Sequence, residues 1–405
     1  MKQPGLLSQP ELRSLMEGPS RVERPPWGEA KFNGITVTFA DVSFPYVYGC
    51  GAIRTLTDAL ASINPDCVIV VADRQAWSLH SETILSAAGD GPPTSVLLVE
   101  AGEQSKTLRQ LDSLSERVLQ CGATRASLIL AVGGGVVGNL AGLLAALLFR
   151  GIHLAHIPTT FLAMHDSVIS LKQAVNTSGA KNILGTFYAP AFVIADLQFL
   201  STLSQEEMRS GLCELIKNAL VIAPESISWL SGIVPTSFWD RMDVLEEMLL
   251  FGVKSKMRVM GNDKSEREGA LVLEYGHTVG HALERMLSNT AGQVRISHGE
   301  AVAIGMLAAA RIAEELGFAD SLLTEQQYKL IRAAGVKERI PAGLRAQEVM
   351  EYVRLDNKRG YLDLNPNEAA MILLGGLGHP LETKGKPLKA VPHDTIIKVL
   401  KTLES

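Results

Sequence analysis

The stretch Ser127-Leu-Ile-Leu-Ala-Val-Gly-Gly-Gly-Val-Val-Gly138 decides the fold class of this 405-residue chain. Its apolar first half predicts a fully buried strand, and its glycines predict a tight turn into a helix. The uncharged segment from Leu128 to Phe149 imitates a membrane span of 22 residues. Five glycines and Asn139 interrupt that segment, so we predict a buried strand, turn and helix, and no membrane association.

Short apolar runs on both sides of this stretch extend the same pattern. Runs at 68–72, 95–99, 128–132 and 153–157 predict strands, with helical patterns at 75–88, 105–120 and 139–149 between them. This alternation is typical of βαβ units and a parallel sheet. From about residue 201 the patterns are mostly helical, at 204–223, 241–260, 277–288, 299–316, 324–334 and 346–355.

The length of the chain and this change of pattern predict two domains. We predict an α/β domain with a parallel sheet over residues 31–200, followed by a mostly α-helical domain over residues 201–405. Residues 1–30 are polar and contain prolines, and we predict a flexible extension without a secretory signal there.

Composition is typical of a soluble globular enzyme, with 46% hydrophobic and 20% charged residues. The net charge of −5 and the lack of a basic tract argue against nucleic acid as the main partner. The four cysteines are far apart and form no CxxC pair. We therefore expect neither a disulfide framework nor a thiolate zinc site, which fits a cytoplasmic location.

The glycines at 133–138 match the pattern GxGxxG between a predicted strand and a predicted helix. Such a turn lets a pyrophosphate reach the N-terminus of the helix, where free N–H groups and the helix dipole favour anions. No Asp or Glu lies between Asn139 and Asp166, where a dinucleotide fold usually places its ribose-binding acid. Asp73 or Glu103 would have to bind the ribose instead. A glycine turn that serves only packing is the alternative.

Three of the nine histidines, His277, His281 and His298, fall within 22 residues. His277 and His281 are four residues apart, so on a helix both imidazoles face one side and can share a metal ion or an anionic ligand. Glycines at 276, 280 and 299 suggest that something approaches the backbone closely there. A surface helix that happens to carry two histidines is the alternative.

Charged residues also occur within apolar segments between 150 and 217. Lysines such as Lys172 are costly to bury unpaired, and several converging lysines indicate a phosphorylated small substrate. Glu214 lies in an apolar run and completes a possible metal set with two histidines, which suits zinc or cobalt. Glu214 and Lys217 are also three residues apart, so a helix-surface ion pair is the alternative. For each lysine, simple solvation at the surface is the alternative.

With these motifs assembled, the chain resembles the sugar phosphate cyclases, whose best-known member is dehydroquinate synthase. The matching motifs follow one another in order over most of residues 65–375. They are Gly102-Glu…Lys106, Gly133-Gly-Gly-Val-Val-Gly-Asn139, Arg150-Gly151, Pro158-Thr-Thr160, Asp166-Ser167, Ala174-Val-Asn176, Lys181-Asn182, Glu214-Leu-Ile-Lys217, Gly276-His277…Gly280-His281, His298-Gly-Glu300 and Asp356-Asn-Lys358. The resemblance implies an α/β domain that binds NAD, a helical domain that binds a divalent metal, and a homodimer.

The resemblance also implies roles for individual residues. The metal ligands would be Glu214, His277 and His298, and His281 would contact substrate instead. The catalytic residues would be Lys172, Lys217, Glu274 and His281. The NAD site would comprise Asp73, Glu103, Lys106, Gly134, Gly135, Val136, Asn139, Thr159, Thr160, Leu162, Asp166, Ser167 and Lys181. The substrate site would comprise Arg150, which would act across the dimer interface, with Asp166, Lys172, Lys181, Asn182, Lys217, Lys256, Glu274, His281 and Lys358.

Three departures from dehydroquinate synthases bear on these expectations. Asn139 replaces an aspartate at the NAD site. Glu274 replaces an asparagine, and Ala270 replaces an arginine that serves a substrate carboxylate. A substrate without a carboxylate needs no such arginine, and an added glutamate would repel an acid. Arg267 lies nearby in sequence and could compensate, which keeps dehydroquinate synthase as the alternative, together with cyclases of the 2-epi-5-epi-valiolone synthase type.

The segments 144–151, 170–176 and 273–276 look most like the family members that act on glucose 6-phosphate. Those members form a carbocycle with loss of phosphate, through transient oxidation at C4, elimination, reduction, ring opening and an intramolecular aldol step. Two other classes remain open. A metal-dependent polyol dehydrogenase would accumulate NADH, and a silent binding protein would bind NAD without releasing phosphate.

Overall fold

The computed structural model describes residues 32–177, 181–234, 238–289 and 296–404. The described chain divides into two compact units. One contains the residues up to Ser204 together with Trp239–Met257, and the other contains Gln205–Phe238 and the residues from Arg258 onward. The predicted extension at 1–30 lies outside the described residues. None of the described helices is long and apolar enough to span a membrane.

The first unit is built on a seven-stranded sheet with the strand order β1-β2-β9-β6-β5-β3-β4. Strands β1 and β2 form an antiparallel hairpin, and every other pairing in this sheet is parallel, as predicted. Strands β7 and β8 pair separately as a short hairpin. The strands of this unit are β1 (Asn33–Phe39), β2 (Val42–Gly49), β3 (Val68–Asp73), β4 (Thr94–Val99), β5 (Leu128–Gly133), β6 (His153–Pro158), β7 (Lys172–Val175), β8 (Leu184–Phe187) and β9 (Phe192–Asp196).

Helices connect the parallel strands and make up most of the second unit. They are α1 (Leu56–Ile63), α2 (Arg74–Ala88), α3 (Leu108–Gln120), α4 (Gly135–Leu147), α5 (Phe161–His165), α6 (Gln205–Val221), α7 (Ile227–Ile233), α8 (Met242–Met260), α9 (His277–Asn289), α10 (His298–Glu315), α11 (Ser321–Ala333), α12 (Ala346–Val353) and α13 (His393–Leu403). The second unit also contains four short strands in antiparallel pairs, β10 (Glu368–Met371) with β13 (Lys389–Pro392) and β11 (Leu374–Gly376) with β12 (His379–Pro380).

The central strand β5 is buried along its whole length because its neighbours β3 and β6 and the helix α4 surround it. Parallel strands covered on both faces read as continuous apolar runs, which is why this segment was predictable. In the parallel register, Val132 lies opposite Ala72 and Ile157. The carboxyl ends of β3, β5 and β6 therefore meet at one edge, where open α/β sheets bind their ligands.

In the helical unit, α10 packs between α6 and α9 through glycines. A Cβ atom at Gly299 would lie 2.0 Å from the carbonyl oxygen of Ser210, and one at Gly305 would lie 1.9 Å from that of Gly276. Only glycine allows backbones to approach this closely. These contacts fix the starts of α9 and α10, where His277 and His298 lie.

We expect Gly305→Ala to lower the free energy of unfolding by about 2 kcal/mol, because the added methyl group forces α10 away from Gly276. Gly232→Ala is the matched control, since Gly232 is an exposed residue of α7 and a Cβ there meets nothing within 4 Å. The control should raise stability by about 0.5–1 kcal/mol. Urea unfolding measures both changes. Equal stability of Gly305→Ala and the wild type would contradict this packing.

Candidate functional site

The helical unit brings one glutamate and two histidines together. Glu214 lies on α6, and His277 and His298 are the first residues of α9 and α10. One possible ligand atom from each lies within 4.8 Å of the other two. The Nε2 atoms of His277 and His298 lie 3.7 and 3.4 Å from the same oxygen, Oε1 of Glu214. This convergence is the strongest indication of a metal site in the described chain.

Charges balance around the fully buried carboxylate of Glu214. Burial alone would raise the pKa of Glu214, but the ammonium of Lys217 and the imidazole of His298 hold it well below its usual value. The ammonium of Lys217, itself 2% exposed, pairs with the other oxygen of Glu214. The carboxylate is therefore ionised and can ligate a cation. Glu214 and Lys217 do form the ion pair considered for them, but it is buried and does not lie on the helix surface.

The two histidines of this cluster differ in their electrostatic surroundings. Burial and Lys217 lower the pKa of His277 to about 3, so its imidazole is neutral. Burial also opposes a charge on His298, but the carboxylates of Glu284 and Glu214 outweigh it and raise its pKa to about 10. A metal ion that binds here would displace a proton from His298.

Two imidazole nitrogens and one carboxylate oxygen form a donor set that suits zinc or cobalt and leaves coordination positions open for a substrate. The spacing of His277 and His281 favoured a metal ion shared by these two residues, but the structure does not arrange them in that way. Their rings lie 5.1 Å apart and nearly perpendicular, and His281 is absent from the described cluster of convergent ligand atoms. Burial lowers the pKa of His281, against the opposing effects of Glu274 and Glu284.

A second cluster in the helical unit centres on the buried ammonium of Lys358. Its Nζ lies 3.4 Å from Oε2 of Glu274 and 3.0 Å from Oδ1 of Asp356. Burial opposes the charge on Lys358, but the two carboxylates raise its pKa above the usual value. Glu274 is the last residue of a short 3-10 helix, Gly269–Glu274, which lies just before α9, the helix that begins with His277. Glu274, His281 and Lys358 are thus electrostatically coupled neighbours.

In the α/β unit, the glycine turn after β5 is shaped for close approach. Helix α4 begins at Gly135, and no side chain caps its N-terminus. A Cβ at Gly134 would lie 3.1 Å from Thr160, and one at Gly135 would lie 3.1 Å from Ser167. The structure therefore brings together Gly134, Gly135, Thr160 and Ser167 at a helix N-terminus suited to a pyrophosphate.

Asp73 and Glu103, the two candidate ribose-binding acids, both accept hydrogen bonds within the α/β unit. Asp73, at the end of β3, caps α2 by accepting hydrogen bonds from the N–H groups of Gln75 and Ala76. Glu103 accepts a hydrogen bond of 2.7 Å from the side chain of Asn176. Asn176 in turn accepts from the N–H of Asn182, whose side chain accepts from Lys106. Glu103, Lys106 and Asn182 thus belong to one network, although Asn182 was expected at the substrate.

Asn139 is held by hydrogen bonds at both ends of its amide. Its Nδ2 donates to the carbonyl of Gly135, and its Oδ1 accepts from the N–H of Ala174. The side chain thus ties β7 to the first turn of α4. An ionised aspartate could accept but not donate, so Asn139 makes a contact that an aspartate at this position would lose.

The remaining predicted residues lie at several places in the α/β unit. Lys256 lies 3.1 Å from Oδ1 of Asp166 and also donates to its backbone carbonyl. Lys172 begins β7 and is half-buried, as is Lys181. Arg150 is exposed and has a φ of 69°, next to Phe149 with a φ of 51°. Thr159 is buried, while Val136 and Leu162 are half-buried.

Sequence reasoning assigned no role to Glu284, although it contacts a predicted metal ligand. Its Oε2 lies 3.3 Å from Nδ1 of His298. The available signal was spacing, because Glu284 lies seven residues after His277 and so on the same face of α9. A contact between His277 and the backbone was also not predicted: Nδ1 of His277 lies 3.2 Å from the carbonyl oxygen of Tyr275.

Known proteins match the chain over most of its length. Residues 96–210 match the family described as 3-dehydroquinate synthase N-terminal, and residues 211–359 match the one described as 3-dehydroquinate synthase C-terminal. The 2-deoxy-scyllo-inosose synthase of Streptoalloteichus tenebrarius is 43% identical over 372 residues, which cover 91% of this chain and 94% of that protein. The enzyme of the same name from Niallia circulans is 36% identical over 344 residues, which cover 85% of this chain and 92% of that protein.

Solved structures agree with these matches. A crystal structure of 2-deoxy-scyllo-inosose synthase complexed with carbaglucose-6-phosphate, NAD⁺ and Co²⁺ matches with a TM-score of 0.84 and 34% identity, covering 91% of this chain and 99% of that one. A 2-epi-5-epi-valiolone synthase from Streptomyces hygroscopicus shares the fold with a TM-score of 0.76 at 23% identity. The resemblance that the motifs indicated is confirmed. The chain belongs to the 3-dehydroquinate synthase family of sugar phosphate cyclases, and the 2-deoxy-scyllo-inosose synthases are relatives that it resembles over most of its length.

Proposed function

We propose that the chain is a carbon–oxygen lyase that converts D-glucose 6-phosphate to 2-deoxy-scyllo-inosose and phosphate, with NAD and a divalent zinc or cobalt ion. Relatives that bear this name are 36–43% identical to the chain. The observation that carries the choice of substrate is Glu274, whose carboxylate lies next to the buried Lys358. A glutamate there disfavours an acidic substrate and provides a hydrogen-bond acceptor for sugar hydroxyl groups.

The loss of Arg at position 270 supports the same choice. Ala270 is fully buried, and the side chain of Arg267 is exposed. The backbone N–H groups of Arg267, Glu268 and Ala270 all donate to the carboxylate of Asp263, which fixes this loop. An exposed Arg267 on this fixed loop supports a substrate site that lacks the arginine of the dehydroquinate synthases.

When bound, NAD supplies reversible hydride transfer and the cation supplies Lewis acidity, so that C4 of the sugar is transiently a ketone. A ketone at C4 acidifies the proton on C5, and removal of that proton expels phosphate from C6. The neutral imidazole of His281 can accept a proton, and Glu274 and Lys358 can orient hydroxyl groups. After reduction at C4, ring opening gives an aldehyde at C1, and attack by C6 on C1 closes the carbocycle.

The resemblance assigns substrate roles to five lysines, and each has the charge that a phosphate ester requires: Lys172, Lys181, Lys217, Lys256 and Lys358. We further propose a homodimer in which Arg150 serves the partner subunit, supported by its exposed side chain on a backbone of positive φ. Such a strained turn persists only where surrounding structure or function maintains it. All four cysteines are free thiols, which supports a cytoplasmic location and a reducing compartment.

Phosphate release with NAD and Co²⁺ tests the proposal on three substrates: glucose 6-phosphate, the seven-carbon acid phosphate used by dehydroquinate synthase, and sedoheptulose 7-phosphate. We expect kcat/KM for glucose 6-phosphate to exceed that for the seven-carbon acid by about 100-fold or more, since a half-buried carboxylate and a missing arginine penalise an acidic substrate. We expect glucose 6-phosphate also to react faster than sedoheptulose 7-phosphate, because the relatives that are 36–43% identical bear the name 2-deoxy-scyllo-inosose synthase. A faster reaction with the seven-carbon acid would instead identify a dehydroquinate synthase. A faster reaction with sedoheptulose 7-phosphate would identify a valiolone-type cyclase.

A further inference from the structure

Glu284 links α9 and α10, the two helices that begin with His277 and His298. It lies on α9, two turns after His277, and its side chain is largely buried. Its carboxylate reaches Nδ1 of His298 on α10, with Oε2 3.3 Å from that nitrogen. The proposed mechanism gives Glu284 no part in contacting the substrate.

The two histidines present matching atoms to Glu214. Nε2 of each faces Oε1 of Glu214, and Nδ1 of each faces an oxygen on the other side of the ring. For His277 that oxygen is the carbonyl of Tyr275, and for His298 it is the carboxylate of Glu284. A ring nitrogen that faces an acceptor carries the hydrogen of the neutral imidazole, which leaves the lone pair on Nε2 for a cation.

The contacts at the start of α10 hold the backbone of His298 and not its ring. Ser297 caps α10 together with Glu300, and the N–H of Gly299 donates to Ser210 over 3.0 Å. These bonds place the start of the helix, but they do not decide which ring nitrogen of His298 faces Glu214. The contact with Glu284 is made by the ring itself, so it can set which nitrogen faces the cluster.

We propose that Glu284 is a positioning residue of the metal centre: its carboxylate accepts the Nδ1 hydrogen of His298 and thereby holds Nε2 as the metal ligand. A carboxylate in this position also strengthens the imidazole as a donor, which the carbonyl behind His277 does less. The proposal rests on the proposed function, because it requires Glu214, His277 and His298 to bind a divalent cation.

Two substitutions separate this role from simple packing. Glu284→Gln keeps the shape of the side chain and removes its charge, while Glu284→Asp keeps the charge and shortens the chain. We expect Glu284→Gln to weaken Co²⁺ binding by about 10–100-fold and to change the visible absorption spectrum of bound Co²⁺. Glu284→Asp should lose less affinity than Glu284→Gln. A packing role predicts the reverse order, and that order would overturn the proposal.

Glu300→Gln is the matched control, because it removes a negative charge two residues from His298 while glutamine still completes the helix cap. Its Co²⁺ affinity should stay within about threefold of the wild type. Affinity is measured on the full chain by competition with a chelator, and urea unfolding verifies that each variant is folded.

Failure of this inference is distinguishable from failure of the proposed function. A wild-type chain that binds Co²⁺ tightly and releases phosphate, beside a Glu284→Gln variant with the same affinity and spectrum, would overturn the role of Glu284 alone. A wild-type chain that binds neither Co²⁺ nor Zn²⁺ would overturn both.

Discussion

Glu214→Gln is expected to weaken Co²⁺ and Zn²⁺ binding by more than about 100-fold. This loss exceeds the effect expected when a residue that only hydrogen-bonds to a metal ligand is changed. The carboxylate is fully buried, and the Nε2 atoms of His277 and His298 both face it. Glutamine has nearly the same shape but no charge for a cation. The loss of several kcal/mol of Lewis-acid stabilisation corresponds to a reduction of kcat on the order of 10³-fold.

This substitution also leaves the buried Lys217 without its carboxylate partner on α6. We expect the metal-free variant to lose about 3 kcal/mol of stability, and Glu214→Gln with Lys217→Met to recover part of it. Glu206→Gln is the control, because Glu206 is exposed in the first turn of the same helix. Metal content after dialysis, phosphate release and urea unfolding measure the three effects. Glu214→Gln protein that retains one metal ion per chain would contradict the assigned ligand set.

Glu274→Gln is expected to reduce phosphate release from glucose 6-phosphate by about 10²–10⁴-fold, the range typical for loss of a group that handles protons or orients them. The carboxylate lies 3.4 Å from Lys358, and its negative charge is one of the factors that raise the pKa of that ammonium. Glutamine would neutralise one side of this buried cluster while leaving Asp356 in place. The effect should be mainly on kcat, because the lysines of the α/β unit that we propose to bind phosphate are unchanged.

Glu268→Gln provides the matched control for Glu274→Gln. Glu268 immediately precedes the same 3-10 helix, is exposed, and pairs with Lys386 at the surface over 2.8 Å. Its loss should change kcat by less than about twofold. Steady-state phosphate release and protein stability are measured for both variants. Full activity of a folded Glu274→Gln protein on glucose 6-phosphate would show that Glu274 has no role in the reaction.

The strands that were predicted have a burial that leaves a simple pattern, although β9 (Phe192–Asp196), which is buried throughout, was missed. β3 and β5 are covered on both faces, so Val68–Asp73 and Leu128–Gly133 read as continuous apolar runs. Strand β8 was missed because all its residues are exposed. The antiparallel hairpin of β1 and β2 was also missed, and only its alternation of residue types could have indicated it.

Domain membership is harder to infer than helix position. The helical pattern at 241–260 predicted α8 closely, yet the structure groups Trp239–Met257 with the α/β unit. Periodicity shows which face of a helix is buried and not which unit covers that face. The predicted domain bounds of 31–200 and 201–405 therefore remain a prediction.

The sequence indicated that a glutamate and histidines form a metal site. Which histidines lie beside Glu214 could not be read from spacing and follows from the folded structure. Spacing alone paired His277 with His281, because residues four apart share a helix face. The structure places Glu214 and His298 with His277 instead, since α6 and α10 bring them from distant positions in the chain. The hydrogen bonds of Asn139 were equally hidden, because Ala174 lies on a separate strand.

Phosphate and NADH measured in one reaction test the central claim most directly. With glucose 6-phosphate, Co²⁺ and NAD well below the substrate concentration, a cyclase that restores its cofactor in every turnover should release many phosphates per NAD. Absorbance at about 340 nm should stay level, because the hydride returns to the sugar. A rise in NADH that equals the substrate consumed, without release of phosphate, would identify a polyol dehydrogenase and contradict the proposed function.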